Sequence, residues 1–125
     1  MRLLRYLWVS PATLVGLFFA LLACACGARA QCVDGVLEFA GGRLVRLKRR
    51  IPFRAVTLGH VIIGIDHDAL TRCRKHEHVH VRQYERWGVF FFALYLGASL
   101  IAALGGRHPY WDNHFEREAY REEDQ

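Results

Sequence analysis

The sequence predicts an α+β fold with an N-terminal membrane helix, and three observations carry that expectation. A stretch free of charge occupies residues 6–28. Alternating and β-branched segments fill residues 33–65. Helix formers mixed with solvated charges take over from Asp68. Of the 125 residues, the part left after the apolar stretch suffices for one small domain, near the size where a bound metal or a membrane surface helps a marginal core. The expected division is a membrane anchor or signal segment over 1–30, a folded domain over 31–121 and an acidic tail over 122–125.

In the first stretch, Ser10-Pro11 offers an N-cap followed by proline at the first helical position. A helix over Pro11–Ala28 would be about 27 Å long, close to the roughly 30 Å of a hydrocarbon core. We read it as a retained anchor. Two alternatives use the same residues: a cleaved signal, with Ala28-Arg29-Ala30 as its small-residue site, and a lipoprotein signal, with Leu21-Leu22-Ala23-Cys24. For an anchor, the heavier Lys/Arg load on its C-terminal side favours a cytoplasmic domain, against the pull of Arg2 and Arg5. Cys24, Cys26, Cys32 and Cys73 lack the spacing of a disulfide framework or a zinc knuckle and read as reduced or lipid-facing thiols.

The net charge of +5 is uneven. Arg43, Arg46, Lys48, Arg49, Arg50 and Arg54 crowd one segment, whereas Glu116, Glu118, Glu122, Glu123 and Asp124 crowd the end. Sited just after a membrane segment, the basic run suits an anionic membrane surface better than nucleic acid, and no nucleic-acid partner is expected. Val33–Phe39 alternates as a strand, Gly41-Gly42 reads as a turn, and Leu44–Leu47 is a candidate hairpin partner. Val56–Ile65 reads as the most buried strand, and Asp66-His67-Asp68 closes it with an N-cap for the next element.

Residues 76–80 read His-Glu-His-Val-His, which fits H-E-x-x-H. On a helix, residues four apart share a face, so His76 and His80 can hold one tetrahedral metal ion. Glu77 lies about 100° round, within reach of a metal-bound water but not of the metal. As a strand, the segment would instead align His76, His78 and His80 on one face. The helix-forming flanks 68–75 and 82–86 favour the helix, with Cys73, Tyr84 and Trp87 on the stripe of His76 and His80 and with His78 facing solvent.

A catalytic site needs a third protein ligand. Glu116, on a helix with Phe115, Ala119 and Tyr120 sharing its face, is the candidate. Asn113 and Glu116 also have capping-box spacing, so a purely capping role competes. His76-Glu77-x-x-His80 followed by Glu116-x-x-Ala119, with Gln83 and Asn113-His114-Phe115 alongside, resembles the gluzincin metallopeptidases, notably small bacterial membrane members of that group. The resemblance spans residues 56–121, and Tyr120 departs from the Asp or small residue more usual after the Ala. It implies a zincin-like domain made of a short sheet, an H-E-x-x-H helix, an apolar helix and a C-terminal ligand helix. It further implies Zn²⁺ on His76, His80 and Glu116, a peptide or protein substrate, and Glu77 as general base. Candidates to stabilise the oxyanion are Tyr120, Tyr110, His114 and His60, in that order. An extended peptide would add to the edge of the Val56–Ile65 strand.

The second apolar stretch, Val89–Leu104, bears on this site. If its sixteen residues crossed a bilayer, about 24 Å would separate Glu116 from the histidines, so the stretch is expected to be buried or membrane-embedded on the metal's side. Gly105-Gly106 lets the chain turn back. Two other function classes stay open: a non-catalytic membrane protein stapled by zinc, against which Glu77 speaks, and a basic membrane-surface or nucleic-acid adaptor acting through residues 43–54.

Overall fold

Helices lie on both faces of a small sheet in this α+β protein, and the period-two alternation of the strands decides which side chain meets which helix. The computed structural model describes residues 2–50 and 54–123. The elements are α1 (Arg2–Ala25), β1 (Arg29–Val33), β2 (Val36–Ala40), a 3₁₀ helix (Gly42–Arg49), β3 (Ala55–Leu58), β4 (Val61–Gly64), α2 (His67–Trp87), a short 3₁₀ segment (Gly88–Phe90), α3 (Phe91–Leu104) and α4 (His114–Glu123). The strands order β1-β2-β4-β3, with β2 and β4 parallel and the other pairs antiparallel.

Val36, Ala40 and Ile62 face α2, where they meet Leu70 and Val81. Phe39 and Val61 face the other way, onto Ala20 of α1. A third cluster joins Val9 and Ala12 of α1 to Tyr84, Phe91 and Phe115, beyond the sheet. The helix α1 therefore packs along the sheet through a narrow stripe of small residues, and its other faces are apolar and exposed, from Leu3 and Leu7 to Phe18 and Leu22. Glycine permits the close approach: a Cβ on Gly16 would stand 2.7 Å from the Leu58 carbonyl oxygen. Two helical stretches, Leu3–Ala25 and the continuous run His67–Leu104 that ends in α3, are long and apolar enough to cross a membrane.

Several expectations need correction. The first helix begins at Arg2, not Pro11, and Pro11 lies inside it. Proline removes the amide that would bond the Leu7 carbonyl, and the Ser10 hydroxyl donates to that oxygen instead at 2.8 Å. The strand expected over Val33–Phe39 is two strands joined at Asp34-Gly35, both with positive φ (52° and 79°), the geometry of a two-residue hairpin turn. The strand expected over Val56–Ile65 is likewise a hairpin, β3–β4, turning at Gly59-His60 with Gly59 at φ 64°. Thr13 of α1 secures that turn, its Oγ1 accepting from the His60 amide at 3.1 Å. Leu44–Leu47 is not a strand but part of the 3₁₀ helix. Of the basic run, residues 51–53 lie outside the described residues, as do Asp124 and Gln125 of the acidic tail. Among the described residues the four cysteines form no disulfide.

Of α3, Phe91 and Ala102 are the buried residues, while Val89, Phe90, Phe92, Leu96, Leu100, Ile101 and Leu104 around and along it are exposed. Most of α3 is thus not covered by the rest of the described residues. It ends in a Schellman turn, with Gly106 at φ 75° and the Arg107 amide donating to the Ala102 carbonyl at 2.8 Å. The chain then doubles back into α4.

Candidate metal centre

The segment 76–80 is helical, which decides between the helix and strand alternatives. Asp66 caps α2, its Oδ1 accepting from the Ala69 amide at 2.7 Å, and the Gly88 amide closes the other end on Tyr84 O. The helix is amphipathic in three directions. Leu70, Glu77, Val81 and Tyr84 look to the sheet, Arg74 and His78 reach β2, and His76, His80 and Gln83 look to α4. Tyr84 is buried as the stripe required, but Trp87 is 41% exposed and stands outside the core.

Glu116 is brought onto the two histidines. Its Oε1 lies 2.9 Å from His76 Nε2 and 3.1 Å from His80 Nε2, and all three side chains are buried. Their ligand atoms fall within 4.8 Å of one another, a group able to hold a metal ion. Asn113, not Glu116, caps α4: its Oδ1 accepts from the Phe115 amide at 2.8 Å and the Glu116 amide at 3.4 Å. The Glu116 carboxylate points away from the cap, so the capping-box alternative is set aside. Asn113 Nδ2 donates to Tyr95 O (2.9 Å) and Ser99 Oγ (2.8 Å), fastening the start of α4 to α3. Ala119, fully buried, leaves α4 room to lie against α2.

Three partners complete the surroundings, and the sequence reading assigned none of them a role. The Tyr95 hydroxyl of α3 donates to Glu116 Oε2, leaving Oε1 toward the histidines. Gln83 Oε1 lies 2.8 Å from His80 Nδ1, while Gln83 Nε2 donates to Phe115 O at 3.0 Å and Glu118 Oε1 at 2.9 Å. An amide oxygen only accepts, so the proton of His80 sits on Nδ1 when Nε2 is a ligand, and Gln83 ties that tautomer to α4. Thr57 of β3 donates to Glu77 Oε2 at 2.5 Å and so fixes that carboxylate on the sheet side of α2. Burial alone would raise the Glu116 carboxyl, but hydrogen bonds from His76, His80 and Tyr95 and the charge of His80 hold it well below the usual carboxylate range. The donor set, two imidazoles and a carboxylate kept anionic, suits a divalent cation.

Tyr120 lies against the site: its ring centroid is 4.3 Å from that of His76, and its hydroxyl is 2.9 Å from the Tyr110 hydroxyl. His114 is exposed, and His60 is buried elsewhere, its Nε2 2.9 Å from Glu85 Oε2. Neither adjoins the ligand group, which corrects their candidacy. His78 is not a surface residue: with Arg74 and Gln31 it surrounds the fully buried Glu38 of β2, at 3.2 Å from Oε2. Replacing Gln83 with Ala frees His80 Nδ1, and metal affinity is expected to fall about 10–100-fold. Competition against a chromophoric chelator checks this, and an unchanged affinity would contradict the tautomer argument.

Comparison with protein-family models, with curated proteins and with solved structures returned no match.

Proposed function

We propose that this protein is a membrane-associated zinc metallopeptidase of gluzincin type. One observation carries the reading: the convergence of His76, His80 and Glu116 into one group able to hold a metal ion, with Glu77 next to His76 in the helix and its carboxylate held by Thr57. Two neutral imidazoles and one carboxylate, with a position left for water, are the ligand set of catalytic zinc. When bound there, zinc acidifies its water and polarises a carbonyl.

The chain's own groups supply the rest. Glu77 takes the proton of the attacking water and returns it to the leaving amine. Gln83 and Tyr95 hold the ligand atoms of His80 and Glu116 in orientation. Tyr120 and Tyr110, paired through their hydroxyls at the rim, are the groups to donate to the oxyanion. The strand β3 is an edge of the sheet and sits on α2, so its outer edge can take an extended peptide as a further strand.

The outer faces of α1 and α3 are the membrane contacts, as their exposed large apolar side chains support. With Glu116 joined to His76 and His80, α3 lies in the membrane without crossing it, and the chain turns back at Gly105-Gly106 to the metal's side. The basic segment after α1 favours the cytoplasmic side. The test is cleavage of a diverse peptide library by full-length protein in detergent, loaded with zinc or stripped by chelator. Hydrolysis only when loaded supports the reading, and no cleavage in either state would sink it.

A further inference from the structure

On the face of α4 turned away from α2 lies a concavity of about 390 Å³. Ile101 of α3, Arg107 and Asp112 of the connecting loop, and His114, Arg117 and Arg121 of α4 line it. The spacing of 114, 117 and 121 puts those three side chains on one helical face, opposite the buried Glu116 and Ala119. With three arginines against one aspartate, the pocket has two net positive charges when His114 is neutral. Among the described residues none of the three arginines forms an ion pair. The Asp112 carboxylate is occupied locally, its Oδ2 accepting from the His108 amide at 2.8 Å.

The walls are held in place. Asn113 fastens α4 to Tyr95 and Ser99 of α3, and the Schellman turn fixes Arg107 at the end of α3. Planar guanidinium groups lining one space suit a phosphate, whose oxygens accept paired N–H donors. Next to the pocket, Leu100, Ile101 and Leu104 present an exposed apolar surface, and Tyr110 and Trp111 are exposed aromatic side chains of the kind found at headgroup level.

We propose that this pocket binds a phosphate oxyanion, and that the phosphate belongs to the headgroup of an anionic phospholipid whose acyl chains lie along Leu100 and Leu104. The site does not involve the metal ligands, so it stands whether or not the chain hydrolyses peptides. It places the end of α3 and the start of α4 at the membrane surface.

The test uses the full chain in nonionic detergent, titrated calorimetrically with short-chain phosphatidylglycerol, short-chain phosphatidylcholine and inorganic phosphate. Phosphatidylglycerol is expected to bind more tightly than the other two. Each arginine near a membrane surface accounts for about fivefold in affinity, so R117Q/R121Q should weaken phosphatidylglycerol binding roughly thirtyfold, while R117K/R121K, which keeps the charge but loses the paired donors, should fall between that variant and the wild type. Circular dichroism checks that helix content is retained. If the double glutamine variant loses it, R107Q alone, with about a fivefold loss expected, decides the question. Equal binding of the two lipids, or glutamine variants that bind as the wild type does, would overturn the proposal. Inorganic phosphate binding as tightly as phosphatidylglycerol would overturn the lipid assignment and make the occupant a soluble phosphate.

Discussion

Replacing Glu77 with Gln is expected to lower peptide hydrolysis by about 10²–10⁴-fold, the range of a positioned general acid–base, with metal content unchanged. Glutamine has the same shape, and its amide oxygen can still accept from the Thr57 hydroxyl that holds Glu77 at 2.5 Å. What it lacks is the ability to take a proton. The loss should therefore fall on kcat and not KM, because the group acts in the transition state and does not hold the substrate. Activity that survives the change would remove Glu77 from the mechanism. Loss of metal with it would make Glu77 a ligand.

The second large effect concerns stability. The Glu38 carboxylate is 0% exposed, and Arg74 donates to it through Nη2 at 3.0 Å and Nε at 3.1 Å, with His78 and Gln31 completing its partners. Removing Arg74 leaves a buried carboxylate with only His78 and Gln31 as partners, so Arg74→Met is expected to cost up to about 3 kcal/mol, the low end for a broken buried pair. That corresponds to a fall of roughly ten degrees in Tm for a chain of this length. Glu38→Leu/Arg74→Met, which removes both charges, should recover most of the loss.

The pH dependence has a definite sign. Burial would raise the Glu38 carboxyl, but hydrogen bonds from Arg74, His78 and Gln31 hold it below its ordinary 4.5. A depressed carboxyl stabilises the fold above the unfolded value and loses that contribution as pH falls through the folded one. Thermal unfolding followed below pH 4.5 should show this decline in the wild type and a weaker one in Glu38→Gln. Equal profiles would contradict the assignment.

What the sequence disclosed about the site followed from local spacing. His76 and His80 are one helical turn apart, and Asp66 marks where that turn count begins, so the shared face was legible without tertiary information. Glu116 could be named because Ala119 and the residues after Asn113 repeat helical spacing. The partners that orient these groups were not legible. Thr57, Gln83 and Tyr95 reach the site from β3, from the next turn of α2 and from α3, through contacts that no period encodes.

The strands failed for a related reason. A two-residue turn preserves the alternation of a strand, so Asp34-Gly35 and Gly59-His60 vanish inside apolar runs unless the turn chemistry outweighs the pattern. Pro11 misled in the opposite direction, since a serine hydroxyl next to it takes up the carbonyl that proline leaves unpaired. His78 shows the limit of reading a helix as two-sided. The side opposite the metal ligands meets β2, not solvent, and Glu38 waits there.

The central claim is a three-ligand zinc site, and its most direct test is metal content by mass spectrometry of purified wild type, His80→Ala and Glu116→Ala. About one zinc per chain is expected in the wild type, as a single tetrahedral site requires. Both variants should lose zinc or hold it far more weakly than the roughly 10–100-fold drop that removal of an outer-sphere partner brings. Zinc retained by Glu116→Ala, or none in metal-replete wild type, would contradict the account.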